Sequence, residues 1–179
     1  MAFNFLDRNS PHIWLAFFCG IFLIEAFFLL TFRLFSNFWG NTINVWYDKF
    51  GIIAIMIDVL IVLIGFWITQ KIYNSNVIFD KTDFKLWKFI LIFLAVQMIH
   101  DLLFYFIIKN INGNSIFDLI VKYGDKHGAK TIFGDSFMVV LAVLATYGLL
   151  TLETSFSTYI ICLLISLYAI GYLLYQKWK

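Results

Sequence analysis

Five apolar stretches, each long enough to cross a lipid bilayer, take up most of the 179 residues of this chain. They lie at 13–32, 51–72, 86–108, 132–152 and 159–175. An apolar helix rises about 1.5 Å per residue, so about 20 residues cross the hydrocarbon. Because the backbone must satisfy its own hydrogen bonds in lipid, runs this long favour helices over the strands of a closed barrel. The sequence therefore predicts an all-α integral membrane bundle of about five transmembrane helices.

The composition supports a membrane protein with a single domain spanning residues 1–179. Apolar and aromatic residues make up 62% of the chain and charged residues only 13%, which excludes an ordinary soluble domain. The net charge of +2 comes from scattered lysines and arginines, so we expect the lipid bilayer and no nucleic acid as a partner. Cys19 and Cys162 fall in separate spans without a ligand-spaced neighbour, and they are interpreted as buried thiols.

Two segments between the spans carry aromatic and aliphatic residues at helical spacing and predict short interfacial helices. The first is 41–50, with an apolar stripe formed by Ile43, Trp46, Tyr47 and Phe50. The second is 115–123, in a connection that is rich in glycine. We interpret its glycines as turn or cap positions, namely Gly113, Gly124, Gly128 and Gly134. The sequence leaves open whether the fourth span crosses fully or is tilted or partial, since Gly134, Asp135 and Ser136 lie in its first turn.

Acidic and imidazole side chains interrupt three of the spans at one predicted depth. Glu25 lies eight residues before Arg33, which directly follows its span. Asp58 lies seven residues after the start of the next span, and His100 and Asp101 lie eight and seven residues before 108. At about 1.5 Å per residue, all four lie roughly 10–12 Å from the same membrane face. The sequence therefore predicts a buried polar layer.

The third span contributes a stripe to this layer. Residues spaced by four lie on one face of a helix, and this spacing holds for Gln97, Asp101, Tyr105 and Lys109, with His100 adjacent. Because lipid penalises exposed charge, the stripe is expected to face Glu25 and Asp58 and to contact them directly or through water. Arg33, Lys109, Asp135 and Ser136 are expected at the rim of the layer.

The layer has several interpretations that the sequence leaves open. It can be a structural hydrogen-bond network, with Arg33 reaching inward to compensate charge, that fixes which helices are neighbours. It can be a proton or ion site, because clustered carboxylates and a histidine titrate. A divalent metal is a narrower version, with Glu25, Asp58, His100 and Asp101 as weak candidate ligands. No catalytic residue is predicted, and Ser136 beside Asp135 is interpreted as a helix cap.

Part of the chain resembles a known family. The segments 97–109, QMIHDLLFYFIIK, and 116–136, IFDLIVKYGDKHGAKTIFGDS, together with the second span, resemble an uncharacterised multi-span membrane protein family of nucleocytoplasmic large DNA viruses. The resemblance covers roughly 50–145. It is carried by His100-Asp101, Phe104-Tyr105, Asp118, Tyr123, Gly128 and Asp135-Ser136. It implies a virion inner membrane or a host membrane, and it assigns no catalytic residue.

Together these features predict a non-enzymatic viral membrane protein that docks capsid or assembly proteins at a virion or host membrane. The partner class comes from the resemblance, whereas the bundle and its polar layer come from the residues. The alternative is a small channel, transporter or membrane enzyme that uses the buried Asp, His and Glu side chains for proton or cation chemistry. No cofactor is predicted apart from the possible divalent metal, and the sequence leaves oligomeric state and orientation open.

Overall fold

The computed structural model describes residues 4–80, 82–111, 115–152 and 154–176. Its helices are α1 (Pro11–Leu34), α2 (Ser36–Trp39), α3 (Asn41–Phe50), α4 (Ile52–Asn74), α5 (Leu86–Lys109), α6 (Ser115–Thr151) and α7 (Phe156–Tyr175). Five segments are long and apolar enough to cross a membrane, namely Pro11–Leu34, Ile52–Asn74, Leu86–Lys109, Lys130–Thr151 and Phe156–Tyr175. No strand occurs in the described ranges. The predicted all-α membrane bundle is therefore confirmed.

α1 is the central helix of the bundle. It packs against α4, α6 and α7, while α5 packs against α4 and α6. In the most apolar 18-residue window of each helix, 61% of α1 is buried inside the protein but only 17% of α5. The outward face of α5 is apolar, with Leu103 and Phe106 more than half exposed, as expected for a surface that contacts acyl chains.

Local sequence explains where the first helices begin and end. Ser10 caps α1, since its Oγ accepts a hydrogen bond from the backbone N–H of Ile13 at 3.5 Å, and Pro11 occupies the first helical position, where its missing N–H costs nothing. α3 and α4 meet at Gly51, whose φ of 54° lies in the left-handed region that favours glycine. This joint lets α3 fold back against the start of α4.

α6 differs from the sequence prediction. The interpretation of Gly124, Gly128 and Gly134 as turns or caps is wrong, because one continuous helix of 37 residues runs through all three. Gly113 lies outside the described residues. Two of the glycines instead permit close approach of aromatic rings: a Cβ on Gly124 would lie 3.1 Å from the Tyr105 ring, and one on Gly134 would lie 3.3 Å from Trp39. The segment 115–123 is therefore the first part of α6 and no separate helix.

Candidate functional site

A cavity of about 500 Å³ lies between α1, α3, α4, α5 and α6. Its polar wall carries Asp58 from α4, His100 and Asp101 from α5, and Asp135 from α6. We call the whole cavity the acidic cavity. Its apolar wall combines aliphatic side chains with aromatic ones, among them Phe28, Phe32, Trp39, Trp46 and Phe104. The volume falls within the range of small-molecule sites, about 300–1,000 Å³. The predicted depth of the polar residues thus coincides with an open space between helices.

One side of the acidic cavity is a hydrogen-bonded group on α5. Gln97 donates from Nε2 to Asp101 Oδ1 at 2.7 Å, and His100 Nδ1 lies 3.1 Å from the same oxygen. The second oxygen of Asp101, Oδ2, is buried and has no partner. The imidazole also stacks on Phe104, with ring centroids 5.7 Å apart. Asp101 thus has a fixed orientation and keeps one oxygen available for a further donor.

The other side joins three helices through one phenol. Tyr47 of α3 places its Oη 3.1 Å from Glu25 Oε1 on α1 and 3.3 Å from Asp58 Oδ2 on α4. Glu25 is only 1% exposed and Tyr47 only 3%. Burial, reinforced by the neighbouring carboxyl groups of Glu25 and Asp58, raises the pKa of Tyr47 well above its usual value, so the phenol keeps its hydrogen at neutral pH.

The sequence predicts Tyr47 in the apolar stripe of an interfacial helix, and it predicts no contact of Tyr47 with the carboxyl groups. Spacing along α3 correctly placed Tyr47 beside Trp46 on the inward face, since both are buried. The position of α3 in the bundle depends on its packing against α1, α4 and α6. The hydroxyl of a buried tyrosine usually forms a hydrogen bond. This general rule is the signal that could have predicted a contact between Tyr47 and a carboxyl group.

The outer part of the α5 stripe pairs with a residue that the sequence interpretation did not select. Tyr105 donates its hydroxyl hydrogen to Asp125 of α6, and Lys109 Nζ lies 2.9 Å from the Tyr105 oxygen and 3.5 Å from Asp125 Oδ1. The hydrogen bond from Tyr105, followed by the charge of Lys109, lowers the pKa of Asp125. Tyr105 and Lys109 therefore join α5 to α6 at the mouth of the acidic cavity.

Arg33 lies at the rim but does not compensate the buried carboxylates. Its Nη2 lies 2.6 Å from Asp48 Oδ1, and its Nη1 donates to Asn44 Oδ1 at 3.3 Å. Asn44 in turn donates to the carbonyl of Phe32 at 3.0 Å. The inward-reaching arginine of the structural interpretation is therefore wrong, because α3 offers nearer partners of its own. Arg33 fastens α3 to the end of α1.

Asp135 and Ser136 lie in the second turn of the candidate membrane segment of α6, Lys130–Thr151. Asp135 lines the acidic cavity, whereas Ser136 is not among its lining residues, and both lie inside α6 rather than at its cap. Lys130, one turn earlier, also lines the cavity, but its Nζ donates to the Phe38 carbonyl at 2.8 Å. Across the described ranges, no Lys or Arg nitrogen pairs with Asp58, Asp101 or Asp135 within 4 Å.

The half of the bundle nearer the other membrane face is closed by a layer of phenylalanine rings. This aromatic layer consists of Phe5, Phe17, Phe66, Phe89 and Phe93, each at most 2% exposed. Phe17 and Phe66 stack with centroids 3.8 Å apart, and Phe5 meets Phe66 and Phe89 edge to face at 5.6 and 5.0 Å. None of these rings is among the lining residues of the acidic cavity, so the aromatic layer and the cavity occupy different parts of the bundle.

The two hydrogen-bonded groups share the acidic cavity without a direct link. Among the described residues, no hydrogen bond joins Asp58 to His100 or Asp101, so any connection runs through what fills the cavity. Nor do three or more His, Cys, Asp or Glu side chains of the described part converge as a metal site. The divalent metal at Glu25, Asp58, His100 and Asp101 stays a prediction. Comparisons with known protein families, with curated proteins and with solved structures find no match to this chain.

Proposed function

We propose that this integral membrane protein binds a positively charged small molecule in the acidic cavity. The observation that carries the proposal is the meeting of three carboxyl groups, Asp58, Asp101 and Asp135, from three different helices around one cavity. No lysine or arginine of the described chain pairs with them. A cluster of carboxylates in low dielectric is costly unless positive charge accompanies it. Protons or a bound cation supply that charge.

The apolar wall supports an organic cation over a bare ion. Phe28, Phe32, Trp39 and Trp46 line the same space as the carboxylates, and aromatic faces attract cations as well as hydrocarbon. A hydrated inorganic ion gains little from four aromatic rings, whereas an alkyl or aryl ammonium ion contacts both walls. Because ligand sites combine an apolar lining with a few placed polar groups, this mixture fits a protonated or quaternary amine.

The closed end supports binding over conduction. In the aromatic layer, the ring centroids of Phe17, Phe66 and Phe93 lie 3.8–6.3 Å apart, which leaves little room for a polar path between these rings. A channel needs a polar or water-filled path through the whole hydrocarbon thickness. A cavity that reaches one face serves a receptor, a carrier or the resting state of a transporter.

The binding test uses three soluble aromatic probes that differ in charge: a cation, a neutral alcohol and an anion. Benzyltrimethylammonium, benzyl alcohol and benzoate are titrated into the purified full-length protein in lipid nanodiscs by isothermal calorimetry. We expect the cation to bind most tightly, the alcohol weakly and the anion least. Asp101→Asn is expected to lower the affinity for the cation roughly tenfold, equivalent to about 1.4 kcal/mol. Asp118→Asn is the matched control, because Asp118 is exposed and does not line the cavity. Equal affinity for benzoate, or an unchanged affinity in Asp101→Asn, would contradict the proposal.

The resemblance to proteins of large DNA viruses supports a second candidate, a virion or host membrane protein that docks capsid or assembly proteins. Several positions that carry the resemblance, His100, Asp101, Tyr105, Gly128 and Asp135, line the acidic cavity. If the proteins that this chain resembles share the cavity, it would be compatible with binding a cation and with docking capsid or assembly proteins. Mass spectrometry of purified particles tests the second candidate, because a structural component is present at a fixed ratio to the capsid protein, and its absence would remove the assembly role.

A further inference from the structure

The contacts of Tyr47 require more hydrogen than the phenol carries. Its oxygen lies within hydrogen-bond distance of two carboxyl groups, Glu25 at 3.1 Å and Asp58 at 3.3 Å. A phenol has a single hydrogen to donate, and an ionised carboxylate only accepts. If both carboxyl groups were ionised, one contact would bring two lone pairs together without a hydrogen between them.

From this geometry we infer that Glu25, Tyr47 and Asp58 form a proton-binding site that holds one hydrogen beyond that of the phenol. One carboxyl group donates this hydrogen to the phenol oxygen, and the phenol donates its own to the other carboxyl group. Both contacts are then proper hydrogen bonds, and only one carboxylate is left charged. We call these three residues the proton site.

The surroundings of Glu25 give independent support. The residue is 1% exposed, and its second oxygen, Oε2, is buried without any partner. Arg33 lies on the same helix two turns away, yet it pairs with Asp48. An ionised carboxylate left in this position would lack both a counter-charge and the hydrogen bonds of one oxygen, which is unfavourable in a low-dielectric interior. A proton removes that charge.

Most of the other charged groups near the proton site are acidic. Asp101 of α5 and Asp135 of α6 line the cavity into which Asp58 opens, together with the bases His100 and Lys130. Lys130 donates from Nζ to a backbone carbonyl, and it forms no ion pair with Asp58 in the described part of the chain. His100 pairs with Asp101 on its own helix rather than with Asp58. Each neighbouring carboxylate makes a second negative charge at the site less favourable, and therefore favours the added hydrogen.

Asp58 is the member through which the hydrogen exchanges. It lines the acidic cavity, as Tyr47 does, whereas Glu25 does not. The hydrogen therefore enters at Asp58 and reaches Glu25 only by rearrangement through the phenol. α1, α3 and α4 are joined at this point, so the charge of the proton site bears on the packing of all three helices.

Infrared spectroscopy of the full-length protein in lipid vesicles tests the inference without any ligand. A protonated carboxyl group gives a carbonyl stretch that is separate from the carboxylate bands and moves in D₂O. We expect such a band in the wild type at pH 7. Glu25→Gln and Asp58→Asn are each expected to fold and to lose one carboxyl equivalent of it, because the new amide N–H supplies the hydrogen that the phenol oxygen needs.

Asp118→Asn is the matched control and is expected to leave the band unchanged, since Asp118 is exposed. A wild type without the band, or either site variant keeping the full wild-type intensity of the band, would overturn the inference. So would failure of both site variants to fold while Asp118→Asn folds, because an amide at either position satisfies the same contacts. The probe titration is a separate measurement, so its outcome and this one are distinguishable.

Discussion

Replacing Gly20 with alanine tests the contact between α1 and α6 that positions one wall of the acidic cavity. A Cβ on Gly20 would lie 2.7 Å from Thr146 Oγ1, 3.2 Å from the Thr146 backbone nitrogen and 3.3 Å from the Ala142 carbonyl oxygen. The hydroxyl cannot swing aside freely, because it donates to Ala142 at 2.7 Å. Since two of the three neighbours are backbone atoms, the helices themselves must separate.

The magnitude follows from a matched glycine on the partner helix. Overpacking a close helix contact costs about 1–3 kcal/mol, while glycine to alanine in a helix gains up to about 1 kcal/mol. At Gly148 of α6, an added Cβ meets no atom within 4 Å, so Gly148→Ala carries the propensity gain alone. The difference between the two variants therefore isolates the steric cost, and Gly20→Ala should be less stable than Gly148→Ala by about 1–3 kcal/mol.

The assay is reversible unfolding of the full-length protein in mixed micelles, with helix content followed by circular dichroism. Both variants are compared with the wild type under the same detergent conditions, and the free energies of unfolding are taken from the linear dependence on denaturing detergent. If Gly20→Ala equals or exceeds Gly148→Ala in stability, the helices α1 and α6 do not approach closely enough for a Cβ at Gly20 to clash, which would contradict the close contact between them.

Three further predictions concern other contacts. Tyr47→Phe removes the hydroxyl between Glu25 and Asp58 and should lower the free energy of unfolding by about 1.5–3 kcal/mol, and an unchanged value would argue against those hydrogen bonds. Phe5→Ala takes a ring that is 2% exposed out of the aromatic layer and should cost about 3–5 kcal/mol in the same assay, whereas a loss below about 1 kcal/mol would mean that the N-terminal segment packs loosely. The pKa of Asp125 is lowered, so its contribution to stability is present above the usual carboxyl pKa of about 4 and is lost as the pH falls through the lowered value. Thermal unfolding of wild type and Asp125→Asn across acidic pH measures this, and parallel pH profiles would show that the pairing contributes nothing.

The proposed site was partly visible in the sequence and partly not. Helical spacing placed Gln97, Asp101 and Tyr105 on one face of α5, and the structure turns all three toward the acidic cavity. The same spacing says nothing about partners on other helices. The sequence predicts Tyr105 in the polar layer, but its hydroxyl donates to Asp125. The partner of a long side chain is set by which groups of other helices lie within its reach, and spacing along α5 does not contain that information.

The course of α6 shows where local signals mislead. Glycine carries a penalty of about 1 kcal/mol in a helix interior, which made Gly124 and Gly134 appear as breaks. Packing outweighs that penalty, since the absence of a side chain lets Tyr105 and Trp39 contact the helix backbone. Only the position of neighbouring helices decides whether a glycine ends a helix or serves as a contact surface.

By itself, the sequence determined that the chain is a helical membrane bundle and that the acidic residues of its spans fall at a similar height along their helices, because length, hydropathy and rise per residue are local quantities. Tertiary structure decided which of those acids meet. Tyr47 links Glu25 to Asp58, and Arg33 pairs with Asp48 and not with the buried carboxyl groups. Both outcomes depend on the rotation of each helix about its axis and on the position of α3 relative to α1 and α4. These quantities are set by packing across residues distant in the chain, and no local pattern encodes them.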